Sequence, residues 1–314
     1  MHHNIFTITL NPAVDKSSTV SQIQPEKKLR CSSPNYDPGG GGINVARGLV
    51  RLGLQSTAFF PSGGRTGAHL ESLLLKEGVD IMPFSIVNDT RENFVVLDTS
   101  NNQQFRFGMP GAILASDELT QISDSINSLS PFPKLVVISG SLPPEVNPGF
   151  LRHLVKTIKS KSARVIVDTS GAALREVVSE GVFLLKPNLG ELSTLTGVEA
   201  LDNKSTEEAA KQLIIAGKAE VIVVSMGPQG AILVTCDNSL HIHAPTVKKL
   251  STVGAGDSMV AGMVSILAKG GSLENMVRMG VACGTAATMK SGTTLFNKQD
   301  ADRLYEWLRE AVSS

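Results

Sequence analysis

The sequence has no excess of charge of either sign and no long hydrophobic run. Its 29 lysines and arginines balance 29 aspartates and glutamates, so no overall field exists to recruit nucleic acid or an anionic membrane. No apolar segment approaches the roughly 20 residues that span a bilayer. We therefore expect neither nucleic acid nor a membrane as a partner, and any charged ligand must be held by local groups of side chains.

Cysteine is scarce as well. The three cysteines, Cys31, Cys236 and Cys283, lie far apart, and no pair has the spacing of a metal or redox motif. They are too few for a disulfide framework, which favours a reducing cytoplasm. The opening residues MHHNIFTITLNPAVDK carry a short apolar run with no basic region before it and no A-x-A-like cleavage site, so we do not expect a secretory signal peptide.

Length and hydrophobic pattern indicate one domain over residues 1–314 with a small appendage, since single cores usually stop growing near roughly 250–300 residues. Short β-branched runs alternate with segments of helical period. The runs are 5–10, 56–60, 134–139, 164–168, 182–186 and 220–225, and the helical segments include 67–76, 148–159 and 206–216. Apolar strands between helices predict an α/β fold whose parallel sheet is covered on both faces. Ligands of such folds bind at the carboxyl ends of the strands.

Two regions interrupt this alternation. Residues 11–37 are polar and lack helical period, and residues 93–108 (NFVVLD, TSNNQ, QFRFG) have the pattern of a β-hairpin. We predict that segments near 11–37 and 88–110 form a small β-sheet lying over the strand ends as a lid. The exposed edges of that sheet could be covered by a second subunit.

Four glycines stand before an amphipathic run in DPGGGGINVARGLVRLG, residues 37–53. A glycine loop before a helix is typical of sites that hold a phosphate. A second cluster, STVGAGDSMVAGMVSIL at 251–267, places residues 255–258 in the first turn of a helix, where unpaired amides attract anions. Asp257 would repel a phosphate there. It is either a helix cap or a general base that takes a proton from the hydroxyl attacking a phosphoryl group.

Two further motifs are weak in isolation. In KPNLGE, Asn188 and Glu191 share a face if a helix begins at Pro187, and amide and carboxylate oxygens suit the water shell of Mg²⁺. Acidic residues favour first turns in any case. The segment VSMGPQGAILV at 224–234 has the pattern of a strand, a glycine turn and a second strand. It is either a simple hairpin or a turn whose glycines let the backbone approach a nucleotide.

The four motifs in this order resemble the ribokinase-like (phosphofructokinase B) family of ATP-dependent sugar kinases, over nearly the whole chain. The resemblance implies a three-layer α/β/α fold with a β lid, a homodimer formed through the lid, and ATP and Mg²⁺ as ligands. It makes Asp257 the catalytic base, with Gly254, Ala255 and Gly256 as the amide anion hole for the transferred phosphoryl group.

The same resemblance assigns the nucleotide and cation residues. Asn188 and Glu191 are expected at the Mg²⁺-ATP phosphates, Glu191 through water, and Lys186, Ser225, Gly227, Gly230 and Lys249 around ATP. A K⁺ ion would involve Ser251, Val253 and the 287–294 segment, including Gly292. This chain reads KSGTTL at 290–295 where the type 2 branch of the family has asparagine at 290 and arginine at 294, a departure that bears on K⁺ and not on catalysis.

The acceptor sugar is assigned to the lid and the first glycine loop. Asp15 and Asn44 match hydroxyl-binding positions, and Gly40, Gly41, Gly42 and Ser141 are placed at the sugar as well. Arg91, Lys28 and Arg30 are cationic residues of the predicted lid. Arginine's planar fork suits a phosphate monoester, so they indicate a phosphorylated sugar, although lid arginines can also be solvated surface charge. Lys28 is also where a second, inhibitory Mg²⁺-ATP would be suspected.

Substrate identity within the family is inferred from Gly39 to Gly42. Tagatose-6-phosphate and fructose-1-phosphate kinases have G-G-K-G there, so the uninterrupted glycines resemble the 6-phosphofructokinase branch. The expected reaction is ATP-dependent phosphorylation of D-fructose 6-phosphate at the 1-hydroxyl to give fructose 1,6-bisphosphate, a step of glycolysis. The alternatives are the two sister kinases, a non-catalytic nucleotide-binding protein, and a dehydrogenase. NPAVDK after the first strand, in place of G-x-G-x-x-G, argues against the dehydrogenase.

Overall fold

The structure is a computed structural model that describes residues 3–198, 201–290 and 292–310. The strands are β1 (Ile5–Ile8), β2 (Ala13–Val20), β3 (Asn35–Gly39), β4 (Thr57–Ser62), β5 (Asp80–Ser85), β6 (Arg91–Asp98), β7 (Gln103–Phe107), β8 (Leu135–Ser139), β9 (Arg164–Asp168), β10 (Val182–Leu185), β11 (Ala219–Ser225), β12 (Ala231–Val234) and β13 (Ser239–Ile242). The helices are α1 (Gly41–Arg51), α2 (Gly64–Lys76), α3 (Ser116–Asn127), α4 (Gly149–Ser160), α5 (Gly171–Ser179), α6 (Leu189–Thr196), α7 (Asn203–Ile215), α8 (Ala255–Ala268), α9 (Leu273–Thr288) and α10 (Lys298–Glu310). Within these ranges, no helix combines the length and apolar character needed to cross a membrane.

The central sheet has nine strands in the order β13-β12-β11-β10-β9-β8-β1-β4-β5. All neighbouring pairs from β11 to β5 are parallel, and only the pairs β11–β12 and β12–β13 are antiparallel. The carboxyl ends of seven parallel strands therefore meet at one edge of the sheet, where the functional residues of such folds are found.

Both faces of this sheet are covered by helices. In β8, Leu135 and Val137 pack into the cluster that includes α1, α8, α9 and α10, whereas Val136 and Ile138 pack into the cluster that includes α3 to α7. Successive side chains of a strand point to opposite faces, so a strand covered on both sides must be apolar throughout. This is why the runs read as continuous hydrophobic segments, and the predicted parallel sheet is confirmed.

A second, smaller sheet has the order β3-β2-β6-β7. Strands β2 and β6 pair in parallel, while β2–β3 and β6–β7 are antiparallel. The hairpin predicted at 93–108 is present as β6 and β7, and the polar region 11–37 supplies β2 and β3. The two excursions from the core thus form one sheet, which we call the lid.

Candidate active site

The carboxyl ends of neighbouring central strands bring the main polar residues together. Strands β8, β9, β10 and β11 end at Ser139, Asp168, Leu185 and Ser225, and Lys186 directly follows β10. Helix α8 begins beside them, because a Cβ added at Gly256 would lie 3.7 Å from Lys186 Nζ and 4.0 Å from Asp168 Oδ2. The second glycine cluster therefore faces the strand ends across a short gap.

Asp257 lies in the first turn of α8, as the sequence predicts. Its Oδ2 accepts a hydrogen bond of 2.8 Å from Asn44 Nδ2. Burial raises the pKa of the Asp257 carboxyl from 3.8 to about 6, with a further contribution from the Asp168 carboxylate, and the opposing effects of Asn44 and Lys186 do not cancel this. A carboxylate with a raised pKa is a stronger base than an ordinary aspartate and is still ionised at neutral pH.

A buried ion pair lies next to Asp257. Lys186 Nζ is 3.0 Å from Asp168 Oδ1, and the side chain of Lys186 is 5% exposed. Burial alone would lower the pKa of Lys186, but the Asp168 carboxylate, with help from Glu191 and Asp257, raises it. Lys186 is therefore a fixed positive charge among three carboxylates, at the point where an anionic ligand would meet the start of α8.

The first turn of α8 has the geometry of an anion site. Gly254 is the N-cap in the left-handed region, with φ of 70°, a conformation that glycine adopts without strain. The first-turn amides that follow have no acceptor within the helix. Gly256 also brings its backbone next to Lys186, so the ammonium group lies close to this first turn.

The KPNLGE motif forms a helix N-terminus that begins two residues later than the sequence suggested. Helix α6 starts at Leu189, and Asn188 is its N-cap. Asn188 Oδ1 accepts from the amide of Glu191, and Glu191 Oε2 accepts from the amide of Asn188, both at 2.9 Å. This is a capping box, so each side chain has a structural task. Burial raises the pKa of Glu191, partly offset by the bond from Asn188, and Asp168 adds to the increase.

The loop after β11 lies beside this helix terminus. The amide of Ser225 donates to Pro187 O at 2.9 Å. Gly227 has φ of 57°, and a Cβ there would meet nothing within 4 Å, so its backbone is open to a ligand. Gly230 differs: a Cβ would collide with Ile242 O and lie 2.7 Å from Ala244 N, so protein packing requires this glycine. Lys249 is exposed, in the segment between β13 and α8.

The residues expected at K⁺ are brought together. Ser251 Oγ donates to Gly292 O at 2.9 Å and accepts from the amide of Val253 at 3.2 Å. Lys290, which departs from the family pattern, forms an ion pair of 2.8 Å with Asp300. The lysine at position 290 therefore has a structural role, since it contacts α10. Ser291 of the 287–294 segment lies outside the described residues.

On the lid, Asp15 is held by its neighbours in the small sheet. Asn93 Nδ2 donates to Asp15 Oδ1 at 2.8 Å. Burial raises the pKa of Asp15, while Asn93 and the positive charge of Arg91 act against that increase. A Cβ added at Gly39 would lie 2.6 Å from Asp15 Oδ2, so this carboxylate lies close to the start of α1, which carries Asn44. Asp15 also contributes to the raised pKa of Asp257.

Arg91 begins β6 and points its guanidinium at backbone carbonyls. It donates to Met109 O at 2.9 Å, to Asn11 O at 3.0 Å and, more weakly, to Pro12 O at 3.4 Å. Burial lowers the pKa of Arg91, whereas Asp15 raises it. Ser141, two residues after the end of β8, accepts from Asn11 Nδ2 at 3.1 Å. Asn11 thus connects the segment before β2 to the loop after β8.

Lys28 and Arg30 do not join Arg91 within one chain. Both are exposed in the segment between Val20, the last residue of β2, and Cys31, which pairs with Val20 through an isolated β-bridge. Asp15 is five residues from Val20 on β2, which corresponds to about 17 Å along the strand. Within one chain, Lys28 and Arg30 therefore lie apart from Arg91 and Asp15.

The first glycine loop is explained by packing against protein. A Cβ at Gly41 would collide with Ser139 Oγ and lie 2.7 Å from Gly140 N, and one at Gly42 would lie 2.6 Å from Ile8 O. Gly40 has φ of 117°. The start of α1 thus fits tightly against the ends of β1 and β8, so the absence of lysine at 41 has a structural reason and does not by itself indicate a substrate.

Sequence reasoning missed Asp168, Asn93 and Arg47. Asp168 is the last residue of a correctly predicted strand, RVIVD, and the carboxyl-edge rule would have selected it. Arg47 follows Ile43 by four residues and precedes Val50 by three, so it lies on the same face of α1 as these apolar residues, and its side chain is 1% exposed. A charged residue on the apolar face of a helix was the signal that could have identified it. Asn93 ends the DTREN segment at 89–93 that contains Arg91 and resembles the phosphosugar branch of the family, but no role was assigned to it.

The sequence matches the family described as pfkB family carbohydrate kinase over residues 5–300. ATP-dependent 6-phosphofructokinase isozyme 2 from Escherichia coli (strain K12) is 45% identical over 305 residues, which are 97% of this chain and 98% of that protein. A 1-phosphofructokinase from Borreliella burgdorferi is 32% identical over 301 residues, 96% of each protein.

Solved structures show the same architecture. Phosphofructokinase-2 from Escherichia coli in complex with potassium has a TM-score of 0.94 at 44% identity, and in complex with fructose-6-phosphate a TM-score of 0.92 at 43% identity; each match covers 97% of this chain and 99% of the other. Arabidopsis thaliana ribokinase, complexed with ribose and ATP, has a TM-score of 0.75 at 19% identity, covering 98% and 99%, which concerns the fold alone. The predicted ribokinase-like fold is confirmed.

Proposed function

We propose that this chain, which belongs to the pfkB family of carbohydrate kinases, is an ATP-dependent 6-phosphofructokinase formed by a single kinase domain over residues 1–314. It would transfer the terminal phosphoryl group of ATP to the 1-hydroxyl of D-fructose 6-phosphate and yield fructose 1,6-bisphosphate. The observation that carries the proposal is Asp257, with its raised pKa, in the first turn of α8 beside the Lys186–Asp168 pair.

Asp257 would act as the general base. Above its pKa of about 6 the carboxylate can take the proton of the acceptor hydroxyl as that oxygen attacks phosphorus. The amides of Gly254, Ala255 and Gly256, together with Lys186, would stabilise the negative charge of the phosphoryl group in transfer, which is the main demand of this chemistry. Asn44 would orient the base through its bond of 2.8 Å.

The nucleotide would lie along the ends of β10 and β11. Asn188, Ser225 and the open backbone at Gly227 border this region, with Gly230 and Lys249 at its margin. No group of three or more histidine, cysteine, aspartate or glutamate side chains within the described ranges could hold a metal ion. Mg²⁺ would arrive with the ATP phosphates and meet the Glu191 carboxylate through water, since carboxylate oxygens suit its water shell. Bound Mg²⁺ neutralises charge on the phosphates.

A K⁺ ion would bind between the loop at 251–253 and the loop around Gly292. Ser251 already links the two segments through Gly292 O, and carbonyl oxygens there suit a monovalent cation. The relative solved with potassium supports this proposal. A cation at this point would fix the start of α8, because Val253 directly precedes Gly254.

The sugar would lie between the lid and α1. Asp15 and Asn44 offer oxygen atoms to hydroxyl groups, and Arg91 would hold the 6-phosphate with Ser141 nearby. Three of the five guanidinium N–H groups of Arg91 are directed at backbone carbonyls, which leaves two for a phosphate. The fructose-6-phosphate complex of the relative supports a phosphosugar.

A homodimer through the lid would complete this site. The lid exposes apolar side chains, Tyr36 at 37%, Phe107 at 48% and Met109 at 46%. Lys28 and Arg30 lie in the segment after β2, away from Asp15 of their own chain, so they would act on a second copy. We place the enzyme in the cytoplasm. Light scattering tests the dimer, and an active monomer would contradict it.

The deciding experiment is ATP-coupled turnover on fructose 6-phosphate, tagatose 6-phosphate, fructose 1-phosphate and free fructose at matched concentrations. We expect the highest kcat/KM with fructose 6-phosphate. Preference for tagatose 6-phosphate or fructose 1-phosphate would replace the named activity by that of a sister kinase. Preference for free fructose would also remove the phosphate role of Arg91, and no turnover on any sugar would favour a nucleotide-binding protein.

A further inference from the structure

We propose that Arg47 is a positioning residue for phosphoryl transfer, which holds the side-chain amide of Asn44 in the one orientation that donates to Asp257. The proposal rests on Asp257 as the base and is independent of which sugar is the acceptor. Arg47 is not within contact of the reacting atoms, and it would act through Asn44.

Arg47 is an arginine without access to solvent in the middle of α1. Its side chain is 1% exposed. Nε and Nη2 donate to the two carboxylate oxygens of Glu77 at 2.9 and 2.7 Å, and Nη1 donates to Pro38 O at 2.8 Å and to Asn44 Oδ1 at 3.0 Å. Every nitrogen of the guanidinium is thus engaged, and the group has a single position.

Asn44 stands between Arg47 and Asp257. Its Oδ1 accepts from Arg47 and its Nδ2 donates to Asp257 Oδ2. The two ends of an asparagine amide are nearly alike in shape, so only hydrogen bonds decide which end points where. Arginine has donors and no acceptor, and it therefore forces Oδ1 toward itself and the NH₂ group toward the carboxylate. With the amide turned over, Oδ1 would face the carboxylate of Asp257.

The cost of burying this charge argues for a role beyond packing. A buried guanidinium must be compensated, and an apolar residue of similar volume is usually as stable or more stable at such a position. Here Glu77 on the C-terminal side of α2 forms the bidentate pair, and Asp37 of β3 lies 3.6 Å from Nη2. The nearby Arg51 is 3.9 Å from Glu77 but donates to Phe296 O and not to Asn44.

That difference makes Arg51 a matched control. Both arginines lie on α1 and both are near Glu77, yet only Arg47 contacts Asn44. The charged groups that affect Asp257 itself are Asp168, Lys186 and Asp15. Arg47 also acts on the Asp15 carboxylate through its charge, and Arg47→Lys keeps that charge. A change in the titration of Asp257 that appears in both Arg47 variants and not in Arg51→Met can therefore be assigned to Asn44.

The expected effect follows from the bond that is lost. Donation from Asn44 lowers the pKa of Asp257. In Arg47→Met the amide of Asn44 can turn, the bond is weakened, and the pKa of Asp257 rises by about one unit. The acidic limb of the kcat profile would then move up by about one pH unit. Turnover would fall about fivefold at pH 6 and remain nearly unchanged at pH 8, with KM for ATP unaltered.

The experiment compares Arg47→Met, Arg47→Lys, Glu77→Gln and Arg51→Met with the unmodified full-length chain. Carboxyl ¹³C NMR follows the titration of Asp257, amide NMR follows the Asn44 side chain, and kcat is measured from pH 5 to 9. We expect a full shift in Arg47→Met, a smaller one in Arg47→Lys, which keeps the charge and one donating nitrogen, and a small one in Glu77→Gln, which loosens Arg47. Arg51→Met should titrate like the unmodified enzyme.

An unchanged titration of Asp257 in folded Arg47→Met, or an equal shift in Arg51→Met, would overturn the proposal. If Arg47→Met does not fold, Arg47→Lys and Glu77→Gln decide, and the proposal fails if neither shifts the titration. The NMR titration also separates this proposal from the assignment of the base. Full turnover in Asp257→Asn would remove the base, whereas a shifted Asp257 titration would still show that Arg47 orients Asn44.

Discussion

The two sides of the candidate site are built differently. On one side, which we call the base side, Asp257, Asp168 and Lys186 lie on elements packed into the core, and charged side chains contact one another. On the lid, Asp15 and Arg91 lie on a small four-stranded sheet, and their bonds go to the uncharged Asn93 amide and to backbone carbonyls. The base side therefore combines a buried ion pair with a carboxylate whose pKa is raised to about 6, which suits chemistry. The lid leaves two N–H groups of Arg91 available, which suits recognition of the sugar.

The comparison predicts that the largest loss of turnover comes from the base side. Asp257→Asn should keep the fold and ATP binding but reduce kcat by about 10²- to 10⁴-fold, since it removes the proton acceptor and leaves the anion-binding amides in place. Steady-state kinetics and ATP titration measure the two effects. A variant with nearly normal kcat would show that the chemistry does not depend on this carboxylate.

The same substitution should stabilise the protein at neutral pH. In the folded state the pKa of Asp257 is raised from 3.8 to about 6, so its favourable contribution is complete below about 3.8 and is lost as the pH rises through about 6. Asparagine cannot ionise, and Asp257→Asn should be more stable at pH 7.5 by up to about 3 kcal/mol. Denaturant unfolding at pH 7.5 and pH 4 checks this, and an equal difference at both values would contradict it.

On the lid, substitution should affect binding rather than turnover. Arg91→Ala should raise KM for fructose 6-phosphate by about 10- to 100-fold, because charged hydrogen bonds to the phosphate are lost, with little change in KM for ATP. Arg106→Ala is the control, since Arg106 is an exposed lid arginine that bonds only to Gln104 within the described residues. Equal increases for both substrates would place Arg91 outside the sugar site.

A smaller effect, on the dependence of activity on K⁺, is expected where the segment before α8 contacts the loop around Gly292. Ser251→Ala removes the bond to Gly292 O, and one neutral hydrogen bond contributes about 0.5–1.5 kcal/mol. We expect the K⁺ concentration for half-maximal activity to rise severalfold while kcat at saturating K⁺ stays the same. Activity that is independent of K⁺ in both proteins would remove the cation from this loop.

Much of the base side could be predicted because it follows local rules. The start of α8, the position of Asp257 in its first turn and the gathering of strand ends all follow from hydrophobic period and sheet topology. The preference of acidic residues for first turns was stated for Glu191, and the structure places Glu191 in the first turn of α6, with Asn188 as the N-cap. Asp168 was missed although the same rules select it.

The lid and the glycine loop were harder, because their properties depend on contacts distant in sequence. The separation of Lys28 from Asp15 depends on the register of β2, which no local pattern specifies. The need for glycine at 41 comes from Ser139, almost a hundred positions away. The partnership of Arg47 with Glu77 likewise requires α1 and α2 to be adjacent.

The way the lid is attached limits what it can do. It joins the body through residues 9–12, Gly40, residues 86–90 and residues 108–115, and the shortest connection is one glycine with φ of 117°. Four residues span at most about 14 Å, so the sheet stays close to the body at each of its connections. These connections limit the room between the sheet and the strand ends. An acceptor longer than this room would be excluded by reach alone, without any side chain to reject it.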